Sequence, residues 1–229
     1  MELVTGFSKK KAELISRLIG YLGNLLIVLG LVILLLIFSP VLVQEVEYQV
    51  KKTSFQEYKL IENSIEAEEA KKETSIVYRR KLLIPKSFAF SLVIPKIGVN
   101  AEVFPNVDSA NQEEYLPILN KGVAHVQKSS LPDQSGVVFI FAHSTDSFYN
   151  ITHYNAVFFL LRKLEVGDEV YLFYKNKKYH YQTAEKKIVD SGGVGEVVKG
   201  LKGNYLVLQT CYPPGTTLGR LLVIAKLVD

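Results

Sequence analysis

The sequence predicts a mainly β domain, either a closed barrel or a sandwich, preceded by a membrane-spanning helix near the N-terminus. Two observations predict this. One is an uncharged apolar stretch over residues 18–43. The other begins at about residue 82, where short runs rich in Val, Ile, Tyr, Phe and Leu are separated by turn residues. We therefore expect residues 82–229 to form one domain that is large enough to bury its own core.

The apolar stretch 18–43 is long enough to cross roughly 30 Å of hydrocarbon. Three lysines at residues 9–11 and Arg17 precede it, whereas Glu45 and Glu47 follow it. The positive-inside rule then predicts that residues 1–17 are cytoplasmic and that residues 44–229 lie outside the membrane. A cleaved signal peptide is the alternative. We favour an uncleaved anchor because the apolar run is longer than the usual 7–15 or so residues and no A-x-A-like site follows it.

Residues 44–81 are predicted to be a polar linker between the membrane and the domain. Glutamates alternate there with Ile and Ala in a pattern compatible with a helix, so we expect the linker to be partly helical. A solvated stalk without chemistry is the favoured interpretation. The sequence leaves open whether the linker folds over the domain as a lid.

Six strands and one short helix are predicted in the domain. The helix covers residues 152–164, and the strands cover residues 89–94, 137–142, 169–174, 178–184, 205–210 and 221–228. Pro and Gly residues mark the turns between them, including Pro105-Asn106 and the segment 191–204, which holds five glycines.

Three residues at predicted strand ends have side chains suited to acyl transfer. Cys211 and His143 each follow an apolar strand, and Arg220 opens the next strand after the cysteine. A thiolate is a nucleophile, and an imidazole can pass a proton to a leaving amine. A guanidinium keeps its charge and can donate to a developing oxyanion. Spacing alone makes this a modest signal, because a single cysteine is usually a small buried hydrophobe.

Composition excludes several other classes of site. Cys211 is the only cysteine, so the chain has no internal disulfide and no multi-cysteine zinc or iron–sulfur site. The four histidines lack metal-ligand spacing, and the acidic residues near Asp190 are too scattered for calcium. We therefore expect no metal and no cofactor. A net charge of +4 is too small to predict nucleic-acid binding.

From about residue 90 to its end, the sequence resembles the sortases, the membrane-anchored cysteine transpeptidases of bacterial surfaces. Single motifs are weak, but their order and spacing together are specific. The matching pieces are LVIPKIGV (92–99), GVAH (122–125), SLP (130–132), HS (143–144), FL (159–160), GDEV (167–170), LQTC (208–211), PG (214–215) and Arg220 before LLV (221–223).

The resemblance implies an eight-stranded barrel with one or two short helices, and it implies a reaction. Cys211 would attack the Thr–Gly bond of a Leu-Pro-X-Thr-Gly-like sorting signal, and an amine would resolve the acyl-thioester. His143 would act as general acid and then base, and Arg220 would stabilise the oxyanion or hold the signal. The partners would be surface proteins that carry the signal, and an amine from a cell-wall precursor or a pilin lysine.

The resemblance also suggests substrate-binding residues. Thr210 precedes the nucleophile. Its hydroxyl would form a hydrogen bond with the substrate backbone, or threonine would stand here only because it is a residue that favours strands. Ala142 stands where the family usually has Gly, which narrows the space beside the imidazole. Val194 and Val197 lie in the segment 191–204, which would wall the peptide groove or form an ordinary mobile loop. His125 matches a recurrent histidine that we interpret as structural.

Two alternatives remain beside this interpretation. An L,D-transpeptidase of peptidoglycan also uses Cys, His and Arg, but it carries the cysteine in a Ser-x-Gly-Cys-like context that residues 208–211 do not match. A non-catalytic anchored β-domain that binds a surface partner would tolerate replacement of Cys211 by Ser.

Overall fold

The structure is a computed structural model that describes residues 17–35, 46, 58–73, 81–144 and 157–228. Helix α1, Arg17–Leu35, is long and apolar enough to cross a membrane. Residues 36–43 of the predicted span lie outside the described residues.

Eight strands close into a barrel, as predicted. In chain order they are β3 (Phe90–Ile94), β4 (Val99–Val107), β5 (Val123–Val126), β6 (Val137–Phe141), β7 (Glu169–Tyr174), β8 (Lys177–Val189), β9 (Tyr205–Tyr212) and β10 (Gly219–Leu227). Their order around the barrel is β10-β8-β7-β3-β4-β5-β6-β9, and β9 pairs with β10 to close it. The pairs β4–β5 and β6–β9 are parallel, and the other pairs are antiparallel.

The barrel interior is filled by alternate residues of the strands. On β9, for example, Leu206 and Leu208 are fully buried in this main core, and on β10 the same holds for Val223. Because successive side chains of a strand point to opposite faces, the residues between them face outward. Each of these strands therefore presents one row of side chains to the barrel interior and another row to the outside.

A second apolar cluster covers the outer face of β9 and β10. Val207, Leu222 and Ile224 are its buried members. Helix α4 (Val194–Gly200), from the predicted loop 191–204, packs valines against them. We call this group the outer cluster. Part of the glycine-rich segment is therefore helical, because its valines, spaced three and four apart, can be buried against the sheet.

Part of the predicted linker docks on the barrel. Strands β1 (Tyr58–Leu60) and β2 (Lys81–Leu83) form a small parallel sheet, and helix α2 (Ser64–Glu73) lies between them in the chain. Ile61 is fully buried. The Ser64 amide donates to Asn176 Oδ1 (3.2 Å), and Lys178 forms an ion pair with Glu62 (2.5 Å).

The docked segment is not positioned as a lid over the strand ends that carry Cys211 and Arg220. Asn176 lies in the turn between β7 and β8, whereas the other end of β8, Val189, pairs with Arg220. A strand rises about 3.3 Å per residue, so the thirteen residues of β8 separate the two places by most of the barrel's length.

Besides α4, two strands and one helix of the barrel domain were not predicted. Strand β4 contains Pro105 and Asn106, which read as a turn but form an irregularity where the β4–β5 register shifts and Asn106 has a φ of 59°. Strand β5 has only four residues. Helix α3 (Gln112–Leu119) contains Pro117, which hides it in the sequence, although Asn111 caps its N-terminus.

The predicted helix 152–164 is described only from residue 157 onwards. Residues 159–163 form a 3₁₀ helix, Phe159–Lys163, and residues 152–156 lie outside the described residues. The buried Phe159 and Leu161 hold this turn against the barrel.

One ion-pair network joins two of the sequence motifs. Lys96, after β3, lies 2.7 Å from Glu165 and 2.8 Å from Asp168. Partial burial opposes the positive charge, but the hydrogen bonds and the charges of the two carboxylates outweigh it and raise the pKa of Lys96. The network thus links the chain after β3 to the start of β7.

Candidate active site

Cys211 and Arg220 lie side by side on neighbouring strands. In the antiparallel β9–β10 ladder they are directly opposite each other. Directly opposed residues have Cβ atoms about 4.5–5.5 Å apart on the same face of a sheet. Both side chains are half-buried, and Cys211 is a free cysteine. The register thus brings a thiol and a guanidinium within reach of one reacting group.

His143 lies level with this pair on the other side of β9. In the parallel β6–β9 ladder, Phe141 is opposite Gln209, and the amide of Ala142 donates to the Gln209 carbonyl (3.1 Å). His143 and Cys211 each come two residues after this last pair. The three predicted residues therefore lie on adjacent segments, β10, β9 and the chain after β6, with the cysteine on the middle one.

Cys211 and Arg220 lie on the outer face of the barrel. Cys211 follows Val207 by four residues, Arg220 precedes Leu222 by two, and both of those apolar residues belong to the outer cluster. His143 follows Ala142, which belongs to the main core, and His143 itself is half-buried. The site is thus an external surface of the β6–β9–β10 sheet.

The Arg220 guanidinium is held by the loop between β9 and β10. Its Nη1 donates to the carbonyl oxygens of Thr217 (3.1 Å) and Gly219 (3.0 Å). A guanidinium has five N–H donors, so Nη2 and Nε can still donate to a substrate oxygen. Within the loop, the Thr216 amide and hydroxyl both donate to the Pro213 carbonyl (3.1 and 2.8 Å).

Thr210 and Ala142 face inward, away from the outer surface that carries Cys211. Both are buried, and the Thr210 hydroxyl donates to the Ala142 carbonyl (2.9 Å). Because the Thr210 hydroxyl already donates to Ala142, it does not fit the expected contact with a substrate backbone. Ala142 points inward as well, so its side chain does not narrow the outer surface. The bond instead ties the chain just before His143 to the strand that carries Cys211.

We expect Thr210→Val to lower turnover while the barrel stays folded. The change keeps the shape of the side chain but removes a buried hydrogen bond, which costs about 1 kcal/mol of stability. It also loosens the register between His143 and Cys211, for which we expect about a tenfold loss of kcat. Thermal unfolding and steady-state kinetics would test this. Unchanged kcat would mean that the bond has no part in positioning His143.

Val194 and Val197 lie on α4, which covers the same face of the sheet as the candidate site. Both are half-buried against the outer cluster. Counted along the outer face from the Cys211–Arg220 pair, Gln209 is opposite Leu222 in the next row, and Val207 is opposite Ile224 in the row after that. Two residues along a strand span about 6.6 Å, so α4 begins within one or two rows of the thiol.

His125 is a buried structural residue. The Asn106 amide donates to its Nδ1 (3.2 Å), so the ring proton lies on Nε2, which donates to the Ser130 carbonyl (3.0 Å). Burial favours the neutral ring and lowers the pKa of His125 below 6.5, although the Ser130 bond opposes the shift. Protonation would also set an N–H against the Asn106 amide.

We expect His125 to make stability fall as the pH drops below 6.5. The unfolded chain binds a proton near pH 6.5, whereas the folded chain does so only at lower pH, so this contribution is complete above 6.5 and is lost below it. One such proton contributes a slope of up to about 1.4 kcal/mol per pH unit. Urea unfolding of wild type and His125→Gln between pH 5 and 8 or so would measure it. Equal slopes in both proteins would contradict the assignment.

Among the described residues, no three His, Cys, Asp or Glu side chains come close enough together to hold a metal ion. Sequence reasoning overlooked the loop carbonyls that hold Arg220, and it overlooked Gly219 beside it. The only signal was a glycine directly before the charged residue that begins a strand.

Comparison with known proteins identifies this part of the chain. A family model described as the Sortase domain matches residues 92–228. Sortase D of Bacillus subtilis (strain 168) is 31% identical over 122 residues, which cover 53% of this chain and 53% of that protein. The chain therefore matches about half the length of this curated relative.

Solved structures show the same fold. The pilus-related sortase C of Group B Streptococcus is 27% identical with a TM-score of 0.52, and the match covers 62% of this chain and 67% of that one. Sortase C2 of Group B Streptococcus pilus island 1 is 25% identical with a TM-score of 0.51, and the coverage is 61% and 73%. The family match runs from β3 to the end of β10, so it includes His143, Cys211 and Arg220.

Proposed function

The chain belongs to the sortase family, and we propose that it is a cysteine transpeptidase in which Cys211 is the nucleophile, His143 the general acid and base, and Arg220 the oxyanion donor. The single observation that carries this proposal is the strand register. It sets Cys211 opposite Arg220 on β10, and the β6–β9 ladder ends at Phe141–Gln209, two residues before both His143 and Cys211.

In the first half of the reaction, the Cys211 thiolate attacks the carbonyl carbon of the scissile peptide. The carbonyl oxygen becomes an oxyanion, which Arg220 stabilises through N–H groups not engaged with the loop. The C–N bond then breaks, and His143 gives its proton to the departing amine. The product is a thioester between the substrate and Cys211.

In the second half, an acceptor amine attacks the thioester carbonyl. His143 takes the proton that the amine loses, the oxyanion forms again beside Arg220, and the C–S bond breaks. A new peptide bond results, and the Cys211 thiolate is regenerated. Water in place of the amine would give hydrolysis, so the acceptor determines whether the enzyme ligates or cleaves.

We propose a sorting signal resembling Leu-Pro-X-Thr-Gly as the substrate, cleaved between Thr and Gly. The apolar valines of α4 and the outer cluster beside the thiol fit the Leu-Pro part of such a signal. The acceptor would be a cell-wall precursor amine or a pilin lysine. The similarity to the pilus-related sortase C supports including the second of these.

We further propose that α1 is an uncleaved anchor and that the barrel lies outside the membrane. The basic residues before α1 support this orientation. The described linker joins the barrel at the end opposite Cys211, and this fits an active site that faces away from the anchor.

The proposal is tested with the full-length chain in detergent and a library of quenched Leu-Pro-X-Thr-Gly peptides, with and without an amine acceptor. We expect cleavage between Thr and Gly, and ligation to the amine when it is present. A thiol reagent should stop both, since Cys211 is the only cysteine. Mass spectrometry should detect the acyl-enzyme on Cys211.

The other outcomes separate the alternatives. No cleavage of any peptide, together with a Cys211 that alkylates no faster than a free thiol, would favour a non-catalytic binding domain. No cleavage with a fast-alkylating Cys211 would retain the chemistry and reject the proposed signal.

A further inference from the structure

Gly219 lies at the point where three strands meet beside the candidate active site. It is paired with Tyr212 in the β9–β10 ladder, and the neighbouring pair of that ladder is Cys211–Arg220. On its other side, β8 contributes Val189, which is paired with Arg220. The Gly219 carbonyl also accepts a hydrogen bond from Arg220 Nη1 (3.0 Å).

Gly219 is placed where a side chain would be crowded by its neighbours. A Cβ atom on it would lie 3.2 Å from the Val189 carbonyl oxygen and 3.3 Å from the Tyr212 carbonyl oxygen. Both distances are shorter than an ordinary van der Waals contact, and both neighbours are backbone atoms that cannot rotate away. The φ angle of Gly219 is outside the left-handed region, so a larger residue would be opposed by crowding and not by backbone conformation.

We infer that Gly219 is a positioning residue of the transpeptidase. The missing side chain lets β10 approach β8 and β9 at this pair, and this close approach sets the separation of the Arg220 guanidinium from the Cys211 thiol. An added Cβ would displace β10 by a few tenths of an ångström directly beside that pair. The inference rests on the proposed function, because it acts through the oxyanion donor.

The test is Gly219→Ala in the full-length chain in detergent. Because transition-state geometry tolerates little displacement, we expect kcat to fall about tenfold, with KM changed by less than about twofold. The rate at which iodoacetamide alkylates Cys211 should stay at the wild-type value, because alkylation needs no oxyanion donor. The matched control is Gly30→Ala on α1, outside the barrel, where a Cβ would meet no atom within 4 Å.

A double-mutant cycle distinguishes positioning from a general structural effect. If Gly219 acts through Arg220, adding Gly219→Ala to Arg220→Ala should cause no further loss of kcat. The same tenfold loss in both backgrounds would overturn the inference. Wild-type kcat in Gly219→Ala, or a Gly219→Ala chain that does not fold by circular dichroism, would overturn it as well.

These outcomes are separate from failure of the proposed function. A wild-type chain without transpeptidase activity on any peptide would remove the proposed function itself. An active wild type that is impaired by Arg220→Ala but not by Gly219→Ala would remove only the role of Gly219.

Discussion

Replacing Cys211 by Ala should abolish peptide cleavage and amine ligation and leave the barrel folded. No other residue of the chain has a thiol, so the acyl-thioester cannot form. Cys211 is only half-buried, and the change removes one small atom. We expect its effect on the free energy of unfolding to be about 1 kcal/mol or less. Rates with the quenched peptide, intact-protein mass after incubation with substrate, and thermal unfolding would measure the three quantities.

Cys211→Ser is the matched variant for this experiment. It replaces the sulfur with an oxygen. Because a hydroxyl is far less ionised than a thiol near neutral pH, we expect almost no turnover. Both variants should still bind the peptide, as measured by fluorescence anisotropy. Turnover by either variant at the wild-type rate would assign the nucleophile to a residue other than Cys211.

Arg220→Lys should be the next most damaging change, with an expected loss of about 10²–10³ in kcat/KM. Lysine keeps the charge, but its ammonium cannot reproduce a planar fork that donates to two carbonyls and to the substrate at once. In the structure the fork is already held by Thr217 and Gly219 through Nη1. A lysine in the same place could satisfy the loop or the oxyanion, but it could not orient both.

Arg162→Lys is the control for Arg220→Lys. Arg162 also donates to a backbone carbonyl, that of Phe159, and it stacks over the ring of that residue. It lies in the 3₁₀ helix before β7 and not on the strands that carry Cys211 and Arg220. Its replacement should leave kcat/KM unchanged within about twofold, in contrast to the loss at Arg220. Normal kcat/KM for Arg220→Lys would remove Arg220 from the proposed mechanism.

The architecture was accessible from the sequence where strands are long and apolar. Residues 137–142 and 205–210 show this, because a continuous run of Val, Ile, Phe and Leu has few other places in a folded domain. Strand β4 was missed because Pro105 and Asn106 signal a turn, and only the pairing with β5 keeps the chain extended past them. Helix α4 was missed because its glycines favour a loop, and burial of its valines on the sheet reverses that preference.

The sequence by itself determined which residues have the chemistry. The candidates form a small set: a single thiol, one histidine after an apolar strand and one arginine at the start of another. They can be found from the sequence because the reactivity of a side chain depends on its chemical type, which does not require the fold. The apolar stretch that includes α1 is determined in the same way, since its length and lack of charge are local properties.

Only the tertiary structure decided how these residues meet. Residue 143 is far from residues 211 and 220 in the sequence, and the sequence alone does not show that the last two are paired. A shift of one residue in the β6–β9 or β9–β10 ladder would turn Cys211 or Arg220 to the barrel interior. Non-local strand pairing fixes the register, the outward direction of the thiol and the inward direction of Thr210. The same pairing crowds the position where Gly219 would carry a side chain. These properties depend on contacts between strands, and no single strand contains them.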